Sequence, residues 1–241
     1  MIEVGRVYDI ARYPVKSMAG QSLESAVLGW YGLAGDRRFA FRRIDDRGGF
    51  PVLSASQYPE LLLYQPHGMD DSAAEPVPTH VRTPSGPDLE LASEELAAAI
   101  TERSGYRVEL LRLRHGIFDE GAVSVITTTT IAGIGREAGL ELNRRRFRAN
   151  VIVETADGPP FSEDAWVGRT MRFGDGKEGP ALSITIPDER CMMINLSPDT
   201  AEQDGRVMKT VVGMNGNNAG VYATPVACGR VQLGDRVWVS A

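Results

Sequence analysis

Cysteine is scarce in this chain: there are two, Cys191 and Cys228, and neither belongs to a Cys-x-x-Cys pair. A zinc knuckle built on several thiolates is excluded, and so is an iron–sulfur cluster held by four. Histidine is almost as rare, and His67, His80 and His115 fall at no metal-ligand spacing. No apolar run approaches the roughly 18 residues that a membrane-spanning helix requires. The start, Met1-Ile2-Glu3-Val4, places an acid early and shows no apolar signal segment, so a cytoplasmic protein without a membrane partner is the expectation. An excess of positive charge is also missing. Lys+Arg number 26 against 32 Asp+Glu, a formal net charge of −6 that argues against a generic nucleic-acid binder.

Lysine is the last shortage. Of the 26 basic residues only Lys16, Lys177 and Lys209 are lysines, leaving 23 arginines. Codon bias in a GC-rich genome accounts for such a ratio without any function. Bidentate anion binding, which arginine can perform and lysine cannot, is the alternative, and position has to decide between them.

What is present is ordinary globular material. The 241 residues are 42% hydrophobic, enough to bury a core in one large β domain or two small ones. Alternation and β-branched residues predict strands over 2–8, 25–28, 38–44, 61–64 and 106–113. Residues 65–88 carry five prolines among Gly, Ser and Asp and read as a loop. A helix is predicted over 93–103, because Ser93 is a good cap, Glu94 and Glu95 suit the positive end and Gly105 is a good stop. A second unit begins near His115: a strand over 123–126, a helix capped by 127–130 and running to about 140, and a strand over 147–154. Short strands over 168–173, 181–186 and 192–196, a helix near 207–212, and strands over 219–226, 229–233 and 237–240 complete it. The expected fold is mainly β with a few helices, a β-barrel protein in two parts, 1–114 and 115–241.

Four clusters could carry chemistry. Tyr13-Pro14-Val15-Lys16-Ser17-Met18 sets a lysine beside a hydroxyl on a tight loop, where charge, hydroxyl and backbone N–H can hold an anion together; most loop lysines are simply solvated. Gly35-Asp36-Arg37-Arg38-Phe39 offers either a structural ion pair or an anion contact. In Arg144-Arg145-Arg146-Phe147-Arg148-Ala149-Asn150, strand alternation would place Arg146, Arg148 and Asn150 on one face, which suits a polar ligand or a charged sheet edge. Pro187-Asp188-Glu189-Arg190-Cys191 puts a guanidinium beside a thiol, and a nearby cation favours the thiolate that binds metals or attacks electrophiles. Cys228 lacks such company and reads as structural.

These clusters, in this order and over nearly the whole chain, resemble the MOSC family, named for the C-terminal domain of molybdenum cofactor sulfurase. Tyr13 to Ser17 and Gly35-Asp36-Arg37 are similar to the MOSC N-terminal β-barrel domain. Phe118-Asp119, the strand end at Thr127, the segment from Arg146 to Val153, Arg190-Cys191 and Gly220-Val221-Tyr222 are similar to the β-barrel MOSC domain itself. The arrangement is nearest to the amidoxime-reducing molybdoenzymes. The resemblance implies molybdenum cofactor (Mo-molybdopterin) between the two parts, with Cys191 as metal ligand. It implies Lys16, Ser17 and Arg37 on the pterin phosphate, Arg148 and Asn150 on the pterin, and Arg190 among the cofactor contacts. Asp119 and Thr127 would line the same cleft, with Asp119 also a proton-relay residue and Arg146 one shell further out. The implied reaction is two-electron removal of oxygen from an N-hydroxylated small-molecule substrate, the molybdenum alternating between its +4 and +6 states. Too few cysteines are present for a cluster of the chain's own, so electrons are expected from a separate ferredoxin, flavoprotein or cytochrome. A carrier of molybdenum cofactor, or of persulfide sulfur on Cys191, is the alternative from another class. One departure stands out: Met192-Met193 follows Cys191 where amidoxime-reducing relatives carry a Thr-Thr pair.

Overall fold

The fold is seen in a computed structural model that describes residues 1–116, 120–155, 158–175 and 178–241. In chain order the first part holds β1 (Ile2–Arg12), β2 (Gln21–Ser22), β3 (Ser25–Gly29), β4 (Gly32–Leu33) and β5 (Phe39–Arg43). There follow β6 (Gln65–His67), β7 (His80–Arg82), β8 (Asp88–Glu90), α1 (Glu94–Ser104) and β9 (Val108–Arg112). The second part holds β10 (Val123–Thr127), α2 (Thr128–Ala138), β11 (Val151–Glu154), β12 (Thr170–Phe173) and β13 (Ala181–Glu189). It ends with α3 (Arg206–Asn215), β14 (Asn218–Ala227), β15 (Gly229–Gln232) and β16 (Arg236–Val239).

Seven strands close a barrel in the order β11-β10-β14-β13-β12-β16-β1, with β1 pairing back onto β11. Every pairing is antiparallel except β10–β11, which α2 connects as a crossover. The opening strand of the chain is therefore a barrel stave, fastened to β11 on one side and β16 on the other. Val7, Val125, Val153, Phe173, Ile184 and Val221 fill the barrel interior. Closure leaves no free edge among these strands. A second core, around Phe41, Leu53, Tyr64, Leu96 and Ile100, sits beneath the β5–β9 pair, the β6-β7-β8 sheet and α1. A third joins α2 and α3 to the outside of the barrel through Ile134, Phe147, Ile152 and Val211.

Local chemistry explains the helix ends. Ser93 Oγ accepts from Leu96 N–H, and Gly105 closes α1 in the left-handed region at φ 75°. Thr127 does the same for α2, accepting from Thr130 N–H, with Gly139 at φ 65° as its stop. Three predicted strands are instead tight turns: 61–64 falls in a 3-10 turn over Pro59–Leu63, 192–196 becomes Met192–Asn195, and the start of 147–154 becomes Arg144–Phe147. In the last case Asn143 caps the turn through its side chain and Arg148 leaves it at φ 49°. Extended chain begins only at Val151, so Arg146, Arg148 and Asn150 do not share a strand face.

Behind β10 lies a carboxyl with no cationic partner among the described residues. Glu163 is fully buried and accepts from Thr127 N–H and from the hydroxyls of Thr127 and Thr130, the latter at 2.8 Å. Burial raises its pKa above the usual carboxylate range, with the threonine donors pulling the other way. The folded state thus holds the proton more tightly than the unfolded chain does. Below the unfolded pKa, near 4.3, the group carries no penalty; stability is lost as pH rises from there through the folded pKa. Glu163→Gln is therefore expected to gain on the parent protein as pH is raised, then run parallel to it. Urea unfolding across pH 4–8 measures this, and a pH-independent difference would refute it.

Candidate functional site

A cleft of about 500 Å³ opens where the two turns from the barrel end meet the Tyr13–Met18 loop. That volume lies within the range of small-molecule sites. Two roomier grooves, about 940 and 790 Å³, lie elsewhere on the molecule and contain no thiol. The smaller cleft is the one with chemistry. Lys16, Ser17, Arg37, Arg148, Arg190 and Cys191, six of the residues named from sequence, all line it, together with Arg146. Positions 16 to 191 of the chain are thus brought to one place by the barrel.

The cation side is built by two interlocked loops. Asp36, itself buried, accepts from Tyr13 N–H at 2.7 Å and from Arg37 Nη1 at 2.5 Å. Lys16 N–H donates to Phe39 O and Arg37 N–H to Tyr13 O, so neither loop can shift alone. Tyr13 is the floor of this side. The Arg37 and Arg148 guanidiniums lie 5.1 and 4.2 Å from its ring centroid, and its hydroxyl donates to Ala149 O. Burial pushes the Tyr13 phenol up, which keeps it a neutral donor beside two cations. Arg148 Nη1 also donates to Met18 O at 2.8 Å, tying the barrel turn to the first loop.

Backbone strain gathers here. Six non-glycine residues among those described have positive φ, and three of them are Ser17 at 65°, Arg37 at 46° and Arg148 at 49°. Each such residue costs about 1–3 kcal/mol and persists only where the surroundings overdetermine it, which is characteristic of binding sites. Ser17 adds a second oddity: it is 2% exposed, and its hydroxyl has no hydrogen-bond partner among the described residues. A buried orphan hydroxyl is a donor waiting for an acceptor. Charge points the same way. Among the described residues, five cations line the cleft (Lys16, Arg37, Arg146, Arg148, Arg190) against three acids (Glu120, Asp188, Glu189), in a chain that is negative overall.

The thiol side is the end of β13. Cys191 is solvent-exposed, extended at φ −91°, and occupies the position before the Met192–Asn195 turn without a side-chain cap. Arg190 before it faces inward: Nε donates to Ala219 O at 2.6 Å, Nη1 to Phe147 O at 2.8 Å, and Nη2 lies 2.9 Å from Asp188. Gly220 makes room for it. At φ 86° a Cβ there would stand 2.6 Å from Val125 O and 3.1 Å from Arg190 Nη2. Arg146 lines the cleft but donates from Nη1 to the carbonyls of Ile194 and Asn195, holding the turn behind the thiol. Phe50, Met193 and Tyr222 give the mouth an apolar lining.

Thr127 and Asn150 are not among the side chains lining the cleft. Thr127 turns to Glu163 and the α2 cap. Asn150 is 1% exposed and bonded on both amide atoms, Oδ1 to Ser124 N–H and Nδ2 to Ala11 O. Asp119 lies outside the described residues. Asp188 is the residue that sequence reasoning passed over. It lines the cleft at 1% exposure, and its place two positions before Arg190 does not reveal the contact with Ser124 that gives it its role.

The fold and site define a class: mainly β proteins whose closed barrel and N-terminal part share a cationic cleft bearing one exposed thiol. Residues 4–125 match the family model for the MOSC N-terminal beta barrel domain, and residues 112–238 that for the MOSC domain. The chain belongs to the MOSC family, which is associated with molybdenum cofactor binding. Among solved structures it is similar to the YuaD protein from Bacillus subtilis, at 14% identity and TM-score 0.52, covering 98% of this chain and 95% of that one. That likeness bears on fold alone. YiiM from Geobacillus stearothermophilus also matches, at 11% identity and TM-score 0.36 over 50% of this chain and 55% of its own. No match is found among curated proteins.

Proposed function

We propose that this protein binds molybdenum cofactor in the cleft and uses it to reduce N-hydroxylated small molecules, with electrons delivered by a separate redox protein. One observation carries the reading: an exposed thiol, Cys191, shares a single cleft with Lys16, Arg37, Arg148 and the buried hydroxyl of Ser17, which has no hydrogen-bond partner among the described residues. The donor set fits a phosphorylated, sulfur-ligated metal group. Lys16, Ser17 and Arg37 would hold the phosphate, Arg148 the pterin, and Cys191 as thiolate would ligand the metal, a soft donor for a metal that accepts sulfur. When bound, the group supplies two-electron chemistry at the metal.

The chain's own residues supply the rest. Arg37 and Arg148 are pinned by Asp36, Met18 O and the Tyr13 ring, so they meet an anion without reorganising. Phe50, Met193 and Tyr222 give the mouth an apolar lining that favours a flat or apolar substrate body. Breaking an N–O bond takes two electrons and two protons and releases water; Asp119 is assigned to that proton path. Electron delivery is assigned to a separate ferredoxin, flavoprotein or cytochrome; within residues 1–241 the two cysteines, both free, are too few for a cysteine-held cluster.

Metal and pterin analysis of protein from a cofactor-competent host tests the reading. Stoichiometric molybdenum and pterin, with reoxidation of the reduced protein by an N-hydroxylated compound, is the expected result. Neither metal nor pterin would sink the proposal; metal without reoxidation would favour a cofactor carrier. Lys16→Ala is expected to weaken cofactor retention by about 1–3 kcal/mol, the scale of a charged hydrogen bond. Unchanged pterin content after gel filtration of this variant would remove Lys16 from the phosphate site.

A further inference from the structure

The polar contacts around the cleft floor close into a ring. Arg37 Nη1 donates to Asn150 Oδ1 at 3.4 Å, and the same oxygen accepts from Ser124 N–H at 3.1 Å. Ser124 Oγ donates to Asp188 Oδ2 at 2.7 Å, where the Arg190 guanidinium also lies. Arg190 Nη1 donates to Phe147 O, one residue before Arg148, and Arg37 Nη2 donates to Arg148 O at 3.3 Å. The circuit thus returns to its start. It passes through the loop that carries Arg37, the turn that carries Arg148 and the strand end that carries Cys191.

The geometry points to Ser124, Asp188 and Arg190 as positioning residues that couple the cation side of the cleft to the Cys191 turn. Ser124 and Asp188 are 3% and 1% exposed, so neither is held in place by solvent, and a change in one contact cannot be absorbed by water. Arg190 joins the segments directly. Its backbone N–H donates to Asn217 O while its side chain holds Ala219 O and Phe147 O, so displacing the guanidinium displaces the residue before the thiol. Charge alone does not require this arrangement, since a stability role for Arg190 needs only the pair with Asp188. What exceeds that role is the route through Ser124 and Asn150 to Arg37, a residue on the opposite wall. Displacing Arg37 should then be felt at Cys191, and only while the ring is intact. This inference takes from the proposed function only that the cation side and the thiol form one site.

A double-mutant cycle read at the thiol tests it. The full chain carrying Cys228→Ser is produced in a host that makes no pterin cofactor, and the alkylation rate of Cys191 by iodoacetamide is measured at one pH. Arg37→Met and Asp188→Asn are each expected to change that rate at least threefold. The double variant should match the larger single change rather than the product of the two. A multiplicative double variant, or rates unchanged in both single variants, would overturn the coupling. If Asp188→Asn fails to fold, Ser124→Ala enters the same cycle with the same expectation. A residue that merely stabilised the fold would lower the melting temperature and leave the rates multiplicative. Failure of the cofactor reading shows separately, as absent molybdenum in the parent protein, and leaves this cycle readable.

Discussion

An Arg190→Ala variant is expected to lose about 3–5 kcal/mol of unfolding free energy, the scale for breaking a buried ion pair by removing one partner. Asp188 is 1% exposed and Arg190 7% exposed, so the carboxylate left behind loses a cation that solvent replaces poorly. The carbonyls of Ala219 and Phe147 lose their guanidinium donors in the same step, and the stacking of Arg190 on the Phe147 ring goes with them. Those losses outweigh the desolvation that the guanidinium itself no longer suffers. Arg107 provides the contrast. It pairs with Asp45 in good geometry, yet the two side chains are 67% and 62% exposed, and solvent takes over when the pair is cut. Arg107→Ala should leave the urea midpoint where it was. If the two variants unfold at the same urea concentration, burial is not what makes the Asp188–Arg190 pair matter. Arg190→Lys should recover only part of the loss, because one ammonium cannot reach two carbonyls and a carboxylate in a fixed fork.

The same arginine shows what a sequence can and cannot reveal. Elements whose cause is local were readable: Ser93 with Glu94, Glu95 and Gly105 frames α1 to within a residue at each end. The cleft residues were readable for a related reason. Lys16 and Cys191 are scarce residue types, Arg37 and Arg148 are charged, and all four lie inside short motifs that keep their order along the chain. What alternation could not give is the Arg144–Phe147 turn. Its path depends on Arg190 reaching Phe147 O from 43 positions away and on Arg146 holding the turn after Cys191. Asn150 and Thr127 illustrate the limit for side chains. Either could face a ligand or the protein interior, and the choice is made by partners distant in sequence, Ala11 and Ser124 for one and Glu163 for the other. Asp188 escaped notice because its meaning lies in Ser124, 64 positions earlier. Polar residues that serve the site from behind are set by tertiary contacts, and no local pattern marks them.

Cys191→Ser should separate the thiol from the clamp. Serine keeps the size and the cap position but offers a hydroxyl that stays protonated at neutral pH, so the proposed thiolate ligand is lost with little change in packing. Cys191 is exposed and its side chain caps nothing, so the unfolding midpoint should not move. The bound metal is expected to fall to background, the largest functional change available from one substitution. Pterin should fall less, because on the proposed reading Lys16, Ser17, Arg37 and Arg148 remain to hold the phosphate and ring. Lys16→Ala, acting on the clamp, should instead lower metal and pterin in step. The ratio of metal to pterin therefore distinguishes the two sides of the cleft, where the absolute amount of either does not. A persulfide carrier makes the opposite forecast: Cys191→Ser would keep any bound metal and lose only the sulfur released by cyanide. Molybdenum that stays at parental stoichiometry in Cys191→Ser would remove this thiol from the metal and turn the site toward that carrier chemistry.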